Sequence, residues 1–456
     1  MVSRDPDLLR SLREPSAASG GVFWRGERQL MVFDPEAAAH VHADNFADLT
    51  MPDRLIDLLR RRPSTPVSWR TVRSVWLAQL RRLSGEAELA MLDERMAAVL
   101  RARADQHVDL PWLAHEVSFQ SLLPMVIDGL RAKDQALIVE DALVKLDRLL
   151  RPPSDDVPLW RSPRRLTIAV RTGLVIRREL RRRASRRIPP RLDLTEPIAT
   201  ELLAALGMDR ALHAVAAVLT AIAGPPGAAA ANLMYALITY PEWVERLTAE
   251  FAESSAADMY RSGTRCAPAA HRFVKEVLRM WTSPTMLTRS VRTPIRVAGH
   301  ELDFGQHYVL SPTMAHHDPR HWRDPEVFDP DRWLPDAANG PAGGRHYVPF
   351  GWAPTACVGA GLGTIQLVLL CRLLCTTFRI TASNPEALRV AVAAVALPMD
   401  FDGRVTLRHQ PNGGRSAGAG PAAPERVVSQ LFDRYVNLNG RPPRAVPARA
   451  EPHADD

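Results

Sequence analysis

The chain has 456 residues and a mass of 50.5 kDa, with 58 basic against 51 acidic side chains for a net charge of +7, 46% hydrophobic and 24% charged residues. This is globular composition, with enough apolar residues for a sizeable core, and it excludes a disordered or fibrous chain. Four cysteines, Cys266, Cys357, Cys371 and Cys375, are too few to frame the fold with disulfides and suggest a reducing compartment.

Only Lys133, Lys145 and Lys275 are lysine, so the basic balance is almost wholly arginine. That bias reflects coding composition more than a polyanion partner, and no nucleic acid is expected. No run reaches about 18 apolar residues, and the N-terminus lacks the apolar core of a signal peptide. A cytoplasmic protein without a membrane span is the expectation.

Residues 1–19 read as an N-terminal extension. From Val22 to Asn45, VFWRGERQLMVFDPEAAAHVHADN predicts two short strands around a polar turn and a helix opening at Asp34-Pro35. Helical periodicity dominates from Trp69 to Leu237, with breaks at Pro152-Pro153, Pro189-Pro190 and Pro225-Pro226. Arginines crowd the stretch from Arg161 to Arg191, which predicts a solvated helix surface in preference to a docking face for an acidic partner. Two more helices follow, ITYPEWVERLTAEF and APAAHRFVKEVLRMW, and then LTRSVRTPIRVAGHELDFGQHYVLSP alternates like short strands. The segment 411–456 is rich in Gly, Pro and Ala and reads as a partly mobile tail, within which VVSQLFDRYVNL is either a short amphipathic helix packed on the body or a frayed one.

Three pieces carry chemistry in a fixed order. Glu276 and Arg279 lie three apart and share a helix face, Arg332 follows in DPEVFDPDRWLP, and Cys357 follows in VPFGWAPTACVG. This order resembles the cytochrome P450 family over residues 20–410. The resemblance implies a mainly α fold with small β-sheets, a structural set of Glu276, Arg279 and Arg332, and a loop presenting a thiolate to the iron of haem b. The family loop reads roughly Phe-x-x-Gly-x-Arg/His-x-Cys-x-Gly. Phe350, Cys357 and Gly359 match it, while Ala353 and Thr355 depart. Backbone N–H groups aimed at the sulfur, turns closed by Gly351 and Gly359, and the dipole of the helix that follows would all favour a thiolate. Cys371 and Cys375, one turn apart on that helix, read as core residues.

Thr355 stands where the family has an Arg or His for a haem propionate, so one charge-assisted bond is missing. By the same resemblance, Trp69 and Arg73 in WRTVR and Arg289 in LTRSV face the propionates. Ser283, Pro284, Thr285, Met286 and Leu287 line the pocket, with residues around Ala223, and the segments from Met51 to Val67 and before Arg191 shape its mouth.

The departure is greatest in the central helix. Where the family has Ala/Gly-Gly-x-Asp/Glu-Thr, this chain reads Ala223, Gly224, Pro225, Pro226, Gly227, without the acid or the alcohol that relays protons. Two prolines remove two N–H donors, freeing the carbonyls of Ala221 and Ile222, so the helix should break there and freed carbonyls can hold water. The resemblance implies a monooxygenase tailoring a bacterial natural product, on a small or carrier-tethered substrate, with electrons from NAD(P)H through an external ferredoxin and its reductase. The alternatives are a peroxide-using enzyme, a coupling, ring-forming or rearranging one, and a non-catalytic auxiliary protein, against which the retained Cys357 argues.

Overall fold

A computed structural model describes residues 10–45, 68–150, 162–337, 346–408 and 430–432. The segment from Met51 to Val67 and the Pro152-Pro153 break lie outside the described residues.

The N-terminal part comprises α1 (Arg10–Ala18), β1 (Val22–Arg25), β2 (Gln29–Val32) and α2 (Pro35–Asp44). The Asp34 carboxylate caps α2 by accepting the Ala37 N–H at 2.9 Å, with Pro35 at the first helical position, as Asp-Pro predicts. The helical body runs through α3 (Trp69–Leu83), α4 (Glu86–Ala102), β3 (His107–Asp109), α5 (Leu110–Val126), α6 (Ala132–Leu150), α7 (Pro163–Ala184) and α8 (Leu203–Ala223). It continues in α9 (Pro225–Thr239), α10 (Pro241–Glu253), α11 (Ala256–Ser262) and α12 (Pro268–Met280). Then come β4 (Leu287–Ser290), β5 (Ile295–Val297), β6 (His300–Leu302), β7 (His307–Leu310) and α13 (Pro312–His316). The described body closes with α14 (Ala360–Thr376), β8 (Phe378–Ala382), β9 (Arg389–Val392), β10 (Ala396–Met399) and β11 (Asp402–Leu407).

The architecture is mainly α with small sheets. The largest sheet has the order β1-β2-β7-β4, with β2 and β7 parallel and the other pairs antiparallel. Helices α5, α9, α12 and α14 supply much of the main core. Leu110–Val126 is buried nearly all round, and the Ala-rich α9 packs its small residues Gly227, Ala228, Ala230 and Ala231 deep inside. Cys371 and Cys375 lie fully buried on α14, in the core as expected.

The segment Thr195–Thr239 is long and apolar enough, by length and composition, to cross a membrane, although no unbroken apolar run signals this in the sequence. It is not one straight rod. Gly207 takes a positive φ of 73°, and the helix breaks again at Gly224, where Pro225 opens α9. The expected break at the proline pair is therefore present, and its cause is the loss of two N–H donors.

The arginine-rich stretch is solvated in part, with Arg171, Arg181, Arg186 and Arg187 exposed, and in part paired with carboxylates. On α7, Arg164 pairs with Glu140 at 2.9 Å, Arg177 with Asp209 at 3.0 Å, Arg178 with Asp134 at 2.7 Å and Arg182 with Glu179 at 3.0 Å. Arg183 is fully buried against Asp193 at 2.6 Å, and that carboxylate also accepts the N–H groups of Asp128, Thr195 and Glu196. These paired arginines fasten α7 to α6 and to the entry of α8. In the tail, Gln430 to Phe432 are helical and Phe432 is buried in the main core, so this point packs on the body.

Candidate active site

Glu276 and Arg279 occupy the last two turns of α12, on the face that also buries Phe273 and Val277. Both side chains are fully buried, as is Arg332. Glu276 accepts from Arg279 at 2.8 and 3.0 Å, from Arg332 Nε at 3.0 Å, from Trp333 Nε1 at 3.0 Å and from the Asp329 N–H at 3.0 Å. One carboxylate cannot neutralise two guanidinium groups, so the excess N–H donors go to carbonyls. Arg279 reaches those of His316 and Pro325 at 3.0 and 2.8 Å, and Arg332 those of Arg323 and Val327, both at 3.0 Å. The three residues thus brace the irregular segment from His316 to Trp333 against α12.

That brace continues to the cysteine loop through a residue the sequence did not single out. His316 is buried, its Nε2 accepts the Val348 N–H at 2.8 Å, and its Nδ1 lies 2.8 Å from the Thr282 hydroxyl. Burial, joined by the charge of Arg279, holds this ring neutral.

The loop from Val348 to Gly359 folds tightly. Gly351 donates to the Val348 carbonyl at 2.9 Å with a φ of 80°, which favours glycine, and the Cys357 N–H reaches back to the Phe350 carbonyl at 2.8 Å. Gly359 directly precedes α14, so the positive end of that helix sits beside Cys357, and a side chain at Gly359 would stand 3.8 Å from the sulfur. Phe350 packs at the rim of the main core.

Cys357 and Arg289 are both accessible to solvent, yet each is crowded enough by protein for burial to disfavour its charged form. Burial pushes the Cys357 thiol up, while the Gly359 backbone N–H and the positive charge of Arg73 pull against it. Arg73, on α3, donates to the Thr355 carbonyl at 3.4 Å, and Arg289 comes from β4. An accessible thiol beside the Arg73 guanidinium, with Arg289 close to the His42 that bonds Thr355, supplies the thiolate and cations that haem with two propionates needs, so these residues fit the group. Trp69, at the start of α3, packs its ring 6.4 Å from Trp76 and 6.1 Å from His213, at the edge of the main core.

The segment Ser283 to Leu287 divides. Ser283, Pro284, Met286 and Leu287 are half-buried, and a side chain on Gly351 would meet Leu287 at 3.1 Å. Met286 packs with Met31, Phe33 and Val309 on the sheet, while Thr285 is fully buried and its hydroxyl donates to the Ala393 carbonyl. Thr285 therefore anchors the 393–395 turn, a use of the side chain that differs from the pocket-lining one expected.

At the helix break, Pro225 and Pro226 are half-buried and Ala223, Gly224 and Gly227 buried. Gly227 occupies the position where the family carries its alcohol. A Cβ there would lie 2.1 Å from His115 Nδ1 and 2.6 Å from the backbone of the same residue, so this position is pressed onto α5 and has no room for a side chain. His115 itself is 2% exposed, and neither ring nitrogen has a hydrogen-bond partner of good geometry. Burial lowers its pKa to about 4, against the opposing pull of the nearby Ala223 carbonyl.

A family model described as cytochrome P450 matches residues 226–391. The fold is shared with solved structures: a zebrafish cytochrome P450 with progesterone has a TM-score of 0.68 at 19% identity, covering 89% of this chain and 100% of that one. Residues 226–391 thus match the cytochrome P450 family, and the fold is the one seen in cytochrome P450 structures. A cytochrome P450DA heme domain matches with a TM-score of 0.67 at 17% identity, over 90% of this chain and 94% of the other. In sequence, the chain is similar to thromboxane-A synthase of Rattus norvegicus, 34% identical over 143 residues, or 30% of this chain and 27% of that protein. It is also similar to cytochrome P450 4V2 of Homo sapiens, 36% identical over 96 residues, or 20% of this chain and 18% of that one. These alignments span less than a third of each curated relative's length. They do not single out a bacterial type.

Sequence reasoning missed His42, His115, Tyr308 and His316. Each acts through a partner remote in the chain, as with His42 and Thr355, 313 residues apart, and no local pattern marks such a pair.

Proposed function

We propose that this P450 is a haem-thiolate monooxygenase that oxidises a small or carrier-tethered organic substrate as a tailoring step in bacterial secondary metabolism. The observation that carries the reading is the accessible Cys357 thiol beside Arg73, in a loop whose Thr355 is hydrogen-bonded to His42, which in turn feels the charge of Arg289. Haem held there through a thiolate supplies the activation of dioxygen for attack on an unactivated C–H bond. Cys357 would hold the metal, Gly359 and the start of α14 would steady the sulfur's negative charge, and Arg73 and Arg289 would hold the carboxylates. The protein acts in the cytoplasm and takes electrons from NAD(P)H through a ferredoxin and its reductase, docked on the face around Cys357.

Proton delivery in this reading does not use an acid and alcohol on the central helix. The carbonyls freed at Ala221 and Ile222 hold a water, or the substrate brings its own hydroxyl, and either completes the relay. A second reading, rearrangement or ring formation without net oxygenation, is favoured by the same missing pair and by relatives named as synthases.

The test is the absorption spectrum of the reduced protein under carbon monoxide, followed by NADPH consumption and peroxide release with a surrogate ferredoxin and reductase. A thiolate-type Soret band supports the haem-thiolate assignment, and absence of bound haem sinks it in favour of an auxiliary protein. Peroxide leakage that falls when substrate is added supports substrate-completed proton delivery. Product formed without NADPH or peroxide consumption selects the second reading.

A further inference from the structure

The cation missing from the cysteine loop has a counterpart elsewhere in the chain. His42, on α2, is fully buried and reaches two partners: its Nε2 lies 3.1 Å from the Tyr308 hydroxyl on β7, and its Nδ1 is hydrogen-bonded to the Thr355 hydroxyl. The Thr355 hydroxyl also lies 3.2 Å from the Trp352 carbonyl. A carbonyl only accepts, so Thr355 donates there and must accept from His42 Nδ1–H. His42 Nε2 is then an acceptor, and Tyr308 donates to it. The direction of the whole chain is fixed: Tyr308 O–H to His42, His42 N–H to Thr355, Thr355 O–H to the Trp352 carbonyl.

The chain ends among cations. Arg73 donates to the backbone carbonyl of the same Thr355 at 3.4 Å, and Arg289 stands opposite Tyr308 in the β4–β7 register. Burial and the charge of Arg289 hold His42 at a pKa of about 4, in keeping with a neutral ring that donates on one side and accepts on the other.

We propose that Tyr308, His42 and Thr355 form a directed hydrogen-bond chain that presents the Thr355 hydroxyl as a neutral donor to a haem propionate, between Arg73 and Arg289. It does from α2 and β7 what a charged side chain at position 355 does elsewhere in the family. The inference rests on the haem-thiolate reading above. On binding, the Thr355 O–H turns from the Trp352 carbonyl to the carboxylate, and His42, a positioning residue, polarises it. Because the donor carries no charge, the field on the iron is less positive than a loop arginine would make it.

The experiment uses the full chain, with haem loss to a scavenger and reduction potential as readouts. Thr355→Val and His42→Ala should each speed haem loss about tenfold, the effect of one hydrogen bond to a charged group. Both should move the potential to more negative values. The double variant should lose no more than the worse single one, since both break the same chain. His42→Asn, which keeps an N–H donor, should recover part of the effect, and Thr355→Arg should move the potential upward. Additive losses, or His42→Ala with wild-type haem loss and potential, would overturn the proposal. If His42→Ala fails to fold, Tyr308→Phe and Thr355→Val decide, and unchanged potentials in both sink it. A wild-type protein that takes up no hemin fails the haem-thiolate reading itself, a result distinct from a wild type that binds hemin with indifferent variants.

Discussion

At the scale of single residues, Gly227 shows how packing overrides a family pattern. The glycine is read from sequence as the loss of an alcohol, yet its closeness to His115 shows that position 227 cannot accept one while α5 lies where it does. Gly227→Thr should therefore cost several kcal/mol, at or beyond the upper end of the roughly 1–3 kcal/mol usual for overpacking, since backbone as well as ring must move. His115→Ala should recover only part of that loss, because it removes the ring and leaves the α5 backbone in the way. Urea unfolding of the three variants measures it, and a Gly227→Thr protein as stable as wild type would show that the two helices separate freely. The cysteines divide in the same residue-level way. Cys357→Ser should abolish the thiolate spectrum, while Cys371→Ser, buried in α14, should leave it in place at a modest loss of stability.

At the scale of elements, buried ion pairs tie irregular segments to helices. Glu276 anchors the segment after α13 to α12, and Asp193 joins α7 to the entry of α8 through Arg183. Removing one partner of such a pair leaves an uncompensated buried charge, which costs about 3–5 kcal/mol. Asp193→Ala should lower stability by about that much, and Glu276→Ala by at least as much, because two guanidinium groups lose their carboxylate. The two should differ in haem retention: the Glu276 network reaches Val348 through His316, whereas Asp193 lies in the α7–α8 connection. Equal haem loss in both variants would mean that the network does not support the loop.

At the scale of the whole molecule, buried neutral histidines set the response to acid. Burial lowers His42 and His115 to about 4, and His316 well below 6.5. Below pH 6.5 the unfolded chain binds protons that the folded rings refuse, so stability should fall as pH drops from about 6.5 to about 4. The slope is at most about 1.4 kcal/mol per pH unit for each ring. Above pH 6.5 both states carry neutral rings and this contribution is flat. Urea midpoints at pH 7.5, 6 and 4.5 check it, and a midpoint unchanged down to pH 4.5 would show that the rings are hydrated in the folded protein.

Several features were determined by the sequence alone. The order of Glu276, Arg279, Arg332 and Cys357, the Asp34-Pro35 helix start, the short strands and the break at Pro225-Pro226 all follow from local rules, in which a residue acts on neighbours within a few positions. Tertiary structure alone decided the rest: that Arg178 and Arg183 of α7 pair with carboxylates of neighbouring elements, that Thr285 anchors a turn, that Gly227 meets His115, and that His42 reaches Thr355 across 313 residues. Such meetings depend on how elements cross, and the same side chains on the same helices would read identically in sequence whichever partner the fold delivered.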